Sequence, residues 1–327
     1  MSVHDPMSDA VGTPYVTTTR RDFLRSSSRA LALGMVAPAL LQGAVPGRGS
    51  VWSPTREGFE PIRRKVGLFT GSGGTMGWLV NPSGVLVVDS QYEESAATFV
   101  SGLTERTTRR VDALVNTHHH ADHVGGNAVM RHVSQTIVAH RRARELHETT
   151  AGAAGNLDPS ALADETFGTE WTIRLGDETV RAKHYGPAHT GGDCTVFFQE
   201  ADVVHMGDLL FNRVYPFIDR PGGASIQGWV QLLESVSAEH GARTVYIAGH
   251  AHPDFGVVAY RDDLLVMRDY LSALLDRAQE GIQAGSSVEE ITSVESLPDF
   301  PNHRSLSPRL SLSANLQVAW EELTAGR

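Results

Sequence analysis

The sequence predicts an α/β (α+β) fold, an αββα sandwich in which two mixed β-sheets lie face to face with helices outside. Two observations predict it. The chain carries two strand-rich halves, and the strand-like runs of each half end in loops where His and Asp stand beside Gly. Length and composition agree. A chain of 327 residues suits one large domain with an extension, or two small ones. Hydrophobic residues make up 41% and charged residues 20%, which is ordinary for a globular protein. No apolar run reaches 18 residues, so no membrane span and no stable membrane anchor are expected.

Taken in order, strand patterns occur at 66–69, 78–80 and 84–89, with Asn81-Pro82-Ser83-Gly84 as a hairpin turn. Between them, 70–75 is a Gly-rich connector. Helical periodicity follows at 93–103, then a strand at 111–115. Helices are expected at 125–131 and 139–147, with a strand at 136–138 between them, and a Gly-, Ala- and Asp-rich loop over 149–169. Alternation gives strands at 170–175 and 179–184, then a hairpin of 194–198 and 203–205 turning at 200–202. An amphipathic helix over 226–237 turns Trp229, Leu232 and Leu233 inward; 244–247 is the last strand. A long helix over 264–282 and short ones at 287–291 and 316–323 close the chain.

The stretch that concentrates the chemistry is Thr117-His118-His119-His120-Ala121-Asp122-His123, a tight loop after a strand. His118 and His120 are two apart, so an extended loop points them the same way and turns His119 away. Asp122 and His123 can then address a second point nearby. His189 in Gly186-Pro187-Ala188-His189-Thr190-Gly191, Asp208 in His205-Met206-Gly207-Asp208 and His250 in Ala248-Gly249-His250 are expected in three further loops at strand ends, where sites are usually built. Imidazole with carboxylate suits a borderline cation such as zinc. His184 and His205 lie on strands and read as satisfied core residues, while His252 could line a pocket.

This order of residues, HxHxDH and then His189, Asp208 and His250, resembles the metallo-β-lactamase superfamily from about Arg64 to about Tyr260. The resemblance implies the sandwich fold and a dinuclear centre. It places His118, His120 and His189 on one metal, Asp122, His123 and His250 on the other, and Asp208 between them, as in the glyoxalase II branch. That branch's glutathione-binding residues have no match here. The implied activity is that of a dinuclear zinc hydrolase with two Zn2+, Fe or Mn being alternatives. A metal-activated hydroxide would attack an ester, thioester, lactone or β-lactam carbonyl, with Asp122 orienting the nucleophile and moving a proton. Other readings are a diiron redox enzyme of the same fold, or a non-catalytic metal-binding or relay protein. Asp89, Asp193 and Thr190 are candidates to hold the outer ring nitrogens of the ligands. The single cysteine, Cys194, sits in a strand pattern and reads as core.

Domain organisation follows. Residues 1–44 read as a twin-arginine (Tat) signal peptide: Arg20-Arg21-Asp22-Phe23-Leu24, then an apolar stretch at 30–41 too short to span a membrane. The Tat machinery is then a partner, and the product is expected to be periplasmic or secreted. Residues 57–262 form the hydrolase domain and 263–327 a C-terminal helical extension packed on it. The net charge of −10 becomes −11 when the four Arg and three Asp of 1–44 are left out, which argues against nucleic acid. A small-molecule substrate is expected instead. Its pocket candidates lie after Asp208, in the segment 211–224: Arg213 and Arg220 to pair with a carboxylate, Tyr215 and Phe217 to supply apolar area. The connector 70–75 is expected to overhang the same site.

Overall fold

The computed structural model describes residues 58–307 and 309–325; the export segment expected at 1–44 lies outside them. The first sheet contains β1 (Gly58–Arg63), β2 (Val66–Thr70), β3 (Met76–Asn81), β4 (Gly84–Val88), β5 (Ala113–Asn116), β6 (Ile137–His140) and β7 (Glu165–Phe167), in that spatial order. From β1 to β4 the neighbours are antiparallel; from β4 to β7 they are parallel. Parallel neighbours need crossovers. Helix α1 (Glu93–Thr104), the short pair α2 (Ala121–Val124) and α3 (Asn127–Arg131), and α4 (Arg141–Ala154) provide them.

The second sheet contains β8 (Glu170–Leu175), β9 (Glu178–Lys183), β10 (Thr195–Phe198), β11 (Val203–Asn212), β12 (Val245–Ala251) and β13 (Val258–Ala259). Its order is β13-β12-β11-β10-β9-β8. Only β11 and β12 run parallel, and α5 (Ile226–Glu239) makes their crossover. The chain then continues through α6 (Arg261–Ala284), α7 (Val288–Thr292) and α8 (Leu312–Thr324).

Strand alternation distributes the apolar residues among layers. Leu86 and Val88 of β4 pack with Val115 and Val138 against Val180, Val196, Phe198 and Ile247 of the facing sheet. Their neighbours Val85 and Val87 point the other way, under Phe99, Leu103 and Met130. A strand covered on both faces reads as an unbroken apolar run, as Val85-Leu86-Val87-Val88 does. The outer face of the second sheet, with Val204 and Tyr246, is covered by Trp229 of α5, Leu271 and Leu274 of α6 and Leu316 of α8. The C-terminal helices therefore share one core with β11, β12 and α5.

The local differences from expectation have physical reasons. Ala139 and His140 complete β6, because Ala139 pairs with both Asn116 and Thr166 in the parallel ladder. The helix expected at 139–147 therefore starts at Arg141, and it runs on to Ala154, where Gly155 takes φ 73° and ends it. The stretch expected as loop over 149–169 thus holds the end of α4, a 3-10 turn at Pro159–Ala161 and strand β7. Small residues made it look irregular. Strand β1 was also outside the expected pattern; Phe59 anchors it by stacking on Phe99 with ring centroids 4.9 Å apart.

Candidate metal centre

Five segments deliver the functional side chains to one edge of the sandwich. The loop after β5 and helix α2 carry His118, His120, Asp122 and His123; the turn after β9 carries His189; β11 carries Asp208 and β12 carries His250. Asp208 and His250 are within strands, not in loops after them. The β11–β12 ladder is irregular there, with register shifts from His205 to Gly207 and from Gly207 to Phe211. Such irregularities re-aim a side chain. Gly249 makes room: a Cβ on it would lie 2.1 Å from Asp208 Oδ1.

Of three donor groups able to hold a metal ion among the described residues, two share Asp208: His118, His120, His189 and Asp208, and Asp122, His123, Asp208 and His250; the third, His119, His120 and Asp219, lies behind His120. In the first, His120 Nδ1 lies 3.1 Å from His118 Nε2 and 3.0 Å from His189 Nε2. Asp208 Oδ2 is 3.9 Å from His118 Nε2 and 3.6 Å from His189 Nε2. In the second, Asp208 Oδ1 is 3.0 Å from His123 Nε2 and 3.4 Å from His250 Nε2, and Asp122 Oδ2 is 3.0 Å from His250 Nε2. His123 Nε2 and Asp208 Oδ1 are buried without a hydrogen-bond partner. Buried polar atoms normally have partners, so two orphans pointing at one place fit a cation between them.

The charge distribution has the same sense. Burial holds His118 well below its ordinary pKa, helped by the neighbouring His123, and burial together with His120 lowers His189 to about 3. Burial opposes charge on His123 and His250 as well, but Asp208 outweighs it, raising His123 well above its usual value and His250 to about 9. Burial would also protonate Asp208, yet His250 and His123 hold it well below the carboxylate range.

The outer ring nitrogens are held too. His118 Nδ1 meets Thr117 Oγ1 at 3.0 Å, His189 Nδ1 meets the Phe217 carbonyl at 2.8 Å, and His123 Nδ1 meets Asp89 Oδ2 at 2.8 Å. Asp89 also accepts from the Thr117 N–H and hydroxyl, at 2.7 and 2.8 Å. Its φ of 62° is strained for a residue with a Cβ. Asp89 is thus the partner the sequence suggested. Asp193 and Thr190 are not; they bond each other, the Thr190 hydroxyl donating to Asp193 at 2.7 Å. His120 Nε2 is met by Asp219 Oδ2 at 3.1 Å. Asp219 and the Phe217 carbonyl were missed from sequence, since they lie 99 and 28 positions from the rings they hold, and Thr117 was missed although it adjoins His118. His119 faces away from the two groups and approaches Asp219 at 3.5 Å.

The expected pocket wall divides. Phe217 does border the site, 42% exposed with its ring 5.3 Å from His120, and buried Phe211 stacks on His250 at 5.3 Å. Tyr215 instead packs against Tyr270 and His303 in the core beneath. The expected carboxylate clamp needs correction as well. Arg213 is paired with Asp263 at 3.1 Å, and Arg220 donates to the Ala224 carbonyl at 2.6 Å beside Glu322 at 3.6 Å. Their charges are answered within the protein. His252 stands next to Phe255 and Asp254, with its N–H donating to the Asn212 carbonyl. The connector 70–75 ties two ligand segments together: Gly74 N donates to the Asp122 carbonyl at 3.0 Å and Thr75 N to the Gly249 carbonyl at 2.9 Å. Cys194 is buried, its Sγ 3.5 Å from the Asn116 carbonyl, and burial raises its pKa.

Sandwich and donor groups together define a class, and the chain belongs to the metallo-β-lactamase superfamily, whose family model matches residues 70–273. Among individual proteins, it is 24% identical over 208 residues to a protein named metallo-beta-lactamase type 2 of Bacillus cereus, covering 62% of this chain and 78% of that one. It is 30% identical over 102 residues to a hydroxyacylglutathione hydrolase of Methylococcus capsulatus, 31% of this chain and 35% of that one. The solved structure of the inverting sec-alkylsulfatase Pisa1 from Pseudomonas sp. superposes with a TM-score of 0.64 at 16% identity, covering 83% of this chain. The chain spans about half of that sulfatase, 51% of its length.

Proposed function

We propose that the protein is an exported hydrolase that uses two divalent cations, zinc first among them, to open an ester, thioester, lactone or β-lactam carbonyl. The observation that carries this reading is the convergence of seven donors with two orphaned atoms, His123 Nε2 and Asp208 Oδ1, at their centre. His118, His120 and His189 hold the first cation, Asp122, His123 and His250 the second, and Asp208 serves both. Bound cations supply Lewis acidity toward a carbonyl oxygen and acidify water toward neutrality.

The chain's own residues do the rest. Asp122, His250 and His120 form the open side, with side chains 23%, 20% and 18% exposed. Burial would raise the Asp122 pKa, but His250 and His123 lower it on balance. Asp122 is therefore ionised at neutral pH, able to orient a water and accept its proton. Thr117, Asp219, the Phe217 carbonyl and Asp89 fix the rings of His118, His120, His189 and His123, so these four need not reorganise during turnover. Export through the Tat machinery to the periplasm or medium is part of the same proposal, motivated by Arg20-Arg21 and the apolar stretch after them.

The test is a panel assay on zinc-loaded protein, with metal content measured on the same sample. Turnover of chromogenic esters, thioesters or lactams with about two metals bound is the expected result. Two bound irons with redox turnover and no hydrolysis would make it an oxidoreductase. Metal without any turnover would make it a binding protein. An Arg20→Lys, Arg21→Lys precursor that still reaches the periplasm would refute the export assignment.

A further inference from the structure

A cleft of about 560 Å³ opens against the outer side of the HxHxDH loop. This volume is within the range of small-molecule sites. His120 forms part of its wall, and the same ring turns Nδ1 toward His118 and His189. Opposite, α4 presents Ala151 and Ala154, while Val124 and Ala128 of the α2–α3 segment close the near side. The titratable side chains on its lining are the carboxylates Glu93 and Asp158 and the imidazoles of His119, His120 and His147; no Lys or Arg lines it. Two exposed aromatics stand beside the donors: Phe217 lies against His120, and Tyr92, 45% exposed, is within electrostatic reach of Asp122.

We infer that this cleft seats a neutral, apolar arm of the substrate, such as an alkyl or acyl chain, while the reacting carbonyl sits at the donors. This rests on the hydrolase reading above and narrows it. Small side chains leave room for a hydrocarbon, and burying it is favourable in proportion to area. A carboxylate there would face Glu93 and Asp158 with no Lys or Arg to pair with, and Arg213 and Arg220 are already engaged. The substrate class is therefore an ester, thioester or lactone with an aliphatic arm, ahead of a carboxylate-bearing lactam.

The experiment compares p-nitrophenyl acetate, butyrate and octanoate on the zinc-loaded full-length protein. For each methylene that enters the cleft, kcat/KM should rise about fourfold, mainly through KM. Ala151→Phe, which fills the cleft, should lower kcat/KM for octanoate at least tenfold more than for acetate. Ala151→Leu should have an intermediate effect, and keeps the test available if the larger residue prevents folding. Calorimetry with 1-octanol, on wild type and on each variant, reads the cleft without turnover. Binding that is lost on filling supports the cleft, even if no ester is hydrolysed; that pattern would overturn the hydrolase reading alone. A flat chain-length profile unaffected by either substitution, with no 1-octanol binding, would overturn the cleft and leave the hydrolase reading standing.

Discussion

The two donor groups share Asp208 but are built differently. The first is three imidazoles and one carboxylate, each ring held from behind by Thr117, Asp219 or the Phe217 carbonyl. The second has two carboxylates, and only His123 has a carboxylate at its back, Asp89. His250 is backed instead by the ring of Phe211. The contrast separates two jobs. Rings held from behind favour a tightly kept cation, while the extra carboxylate of the second group favours exchange.

The largest effect that could break this comparison is at the shared residue. Asp208→Ala should lower zinc affinity at both groups and activity by at least about 100-fold, more than loss of an outer partner costs. Zinc titration calorimetry checks it; weakening of one group alone would show that Asp208 is not shared. Next, Asp219→Ala should weaken the first group only, by about 10–100-fold, with Asp219→Asn restoring part of the affinity through its amide oxygen. Equal weakening of both groups would make Asp219 a folding residue, not a positioning one.

A smaller effect separates the pH sensitivity of the fold from that of the donors. His205 belongs to neither group, though Asp89, His123 and Asp208 are within electrostatic reach; its Nε2 donates to the Thr75 carbonyl and its Nδ1 accepts from Gly207 N–H. Burial lowers its pKa to about 4, below the unfolded value of about 6.5. Between those values the unfolded chain binds the extra proton. Stability is therefore complete above pH 6.5 and is lost as the pH falls toward 4, by up to about 1.4 kcal/mol per pH unit. Urea unfolding of wild type and His205→Gln across this window, at equal metal loading, should show a shallower slope for the variant; identical slopes would refute the assignment. The smallest effect is expected at Cys194→Ser. Its metal content should stay unchanged, because the buried Sγ faces the Asn116 carbonyl. Loss of a metal there would require the donor set to be redrawn.

What was legible in the sequence follows from how local each signal is. His118, His120, Asp122 and His123 lie within six residues, where spacing alone sets direction. The strand patterns at 84–89 and 244–247 announced strands that the structure contains. The periodicity at 226–237 and 264–282 announced helices that the structure contains, with bounds shifted by a few residues. The small-residue stretch before Gly155 was misread because Gly and Ala there leave no periodic apolar face.

By itself, then, the sequence determined which layers would form and which donors were available, because period and residue type act over a few positions. Only the tertiary structure decided the rest. A ladder irregularity put Asp208 inside a strand and aimed it at both groups. A contact 99 residues apart gave His120 its carboxylate. Arg213 and Arg220 found Asp263 and Glu322, the second 102 positions further along the chain. Such pairings depend on how separate elements pack against one another, and no local spacing encodes them.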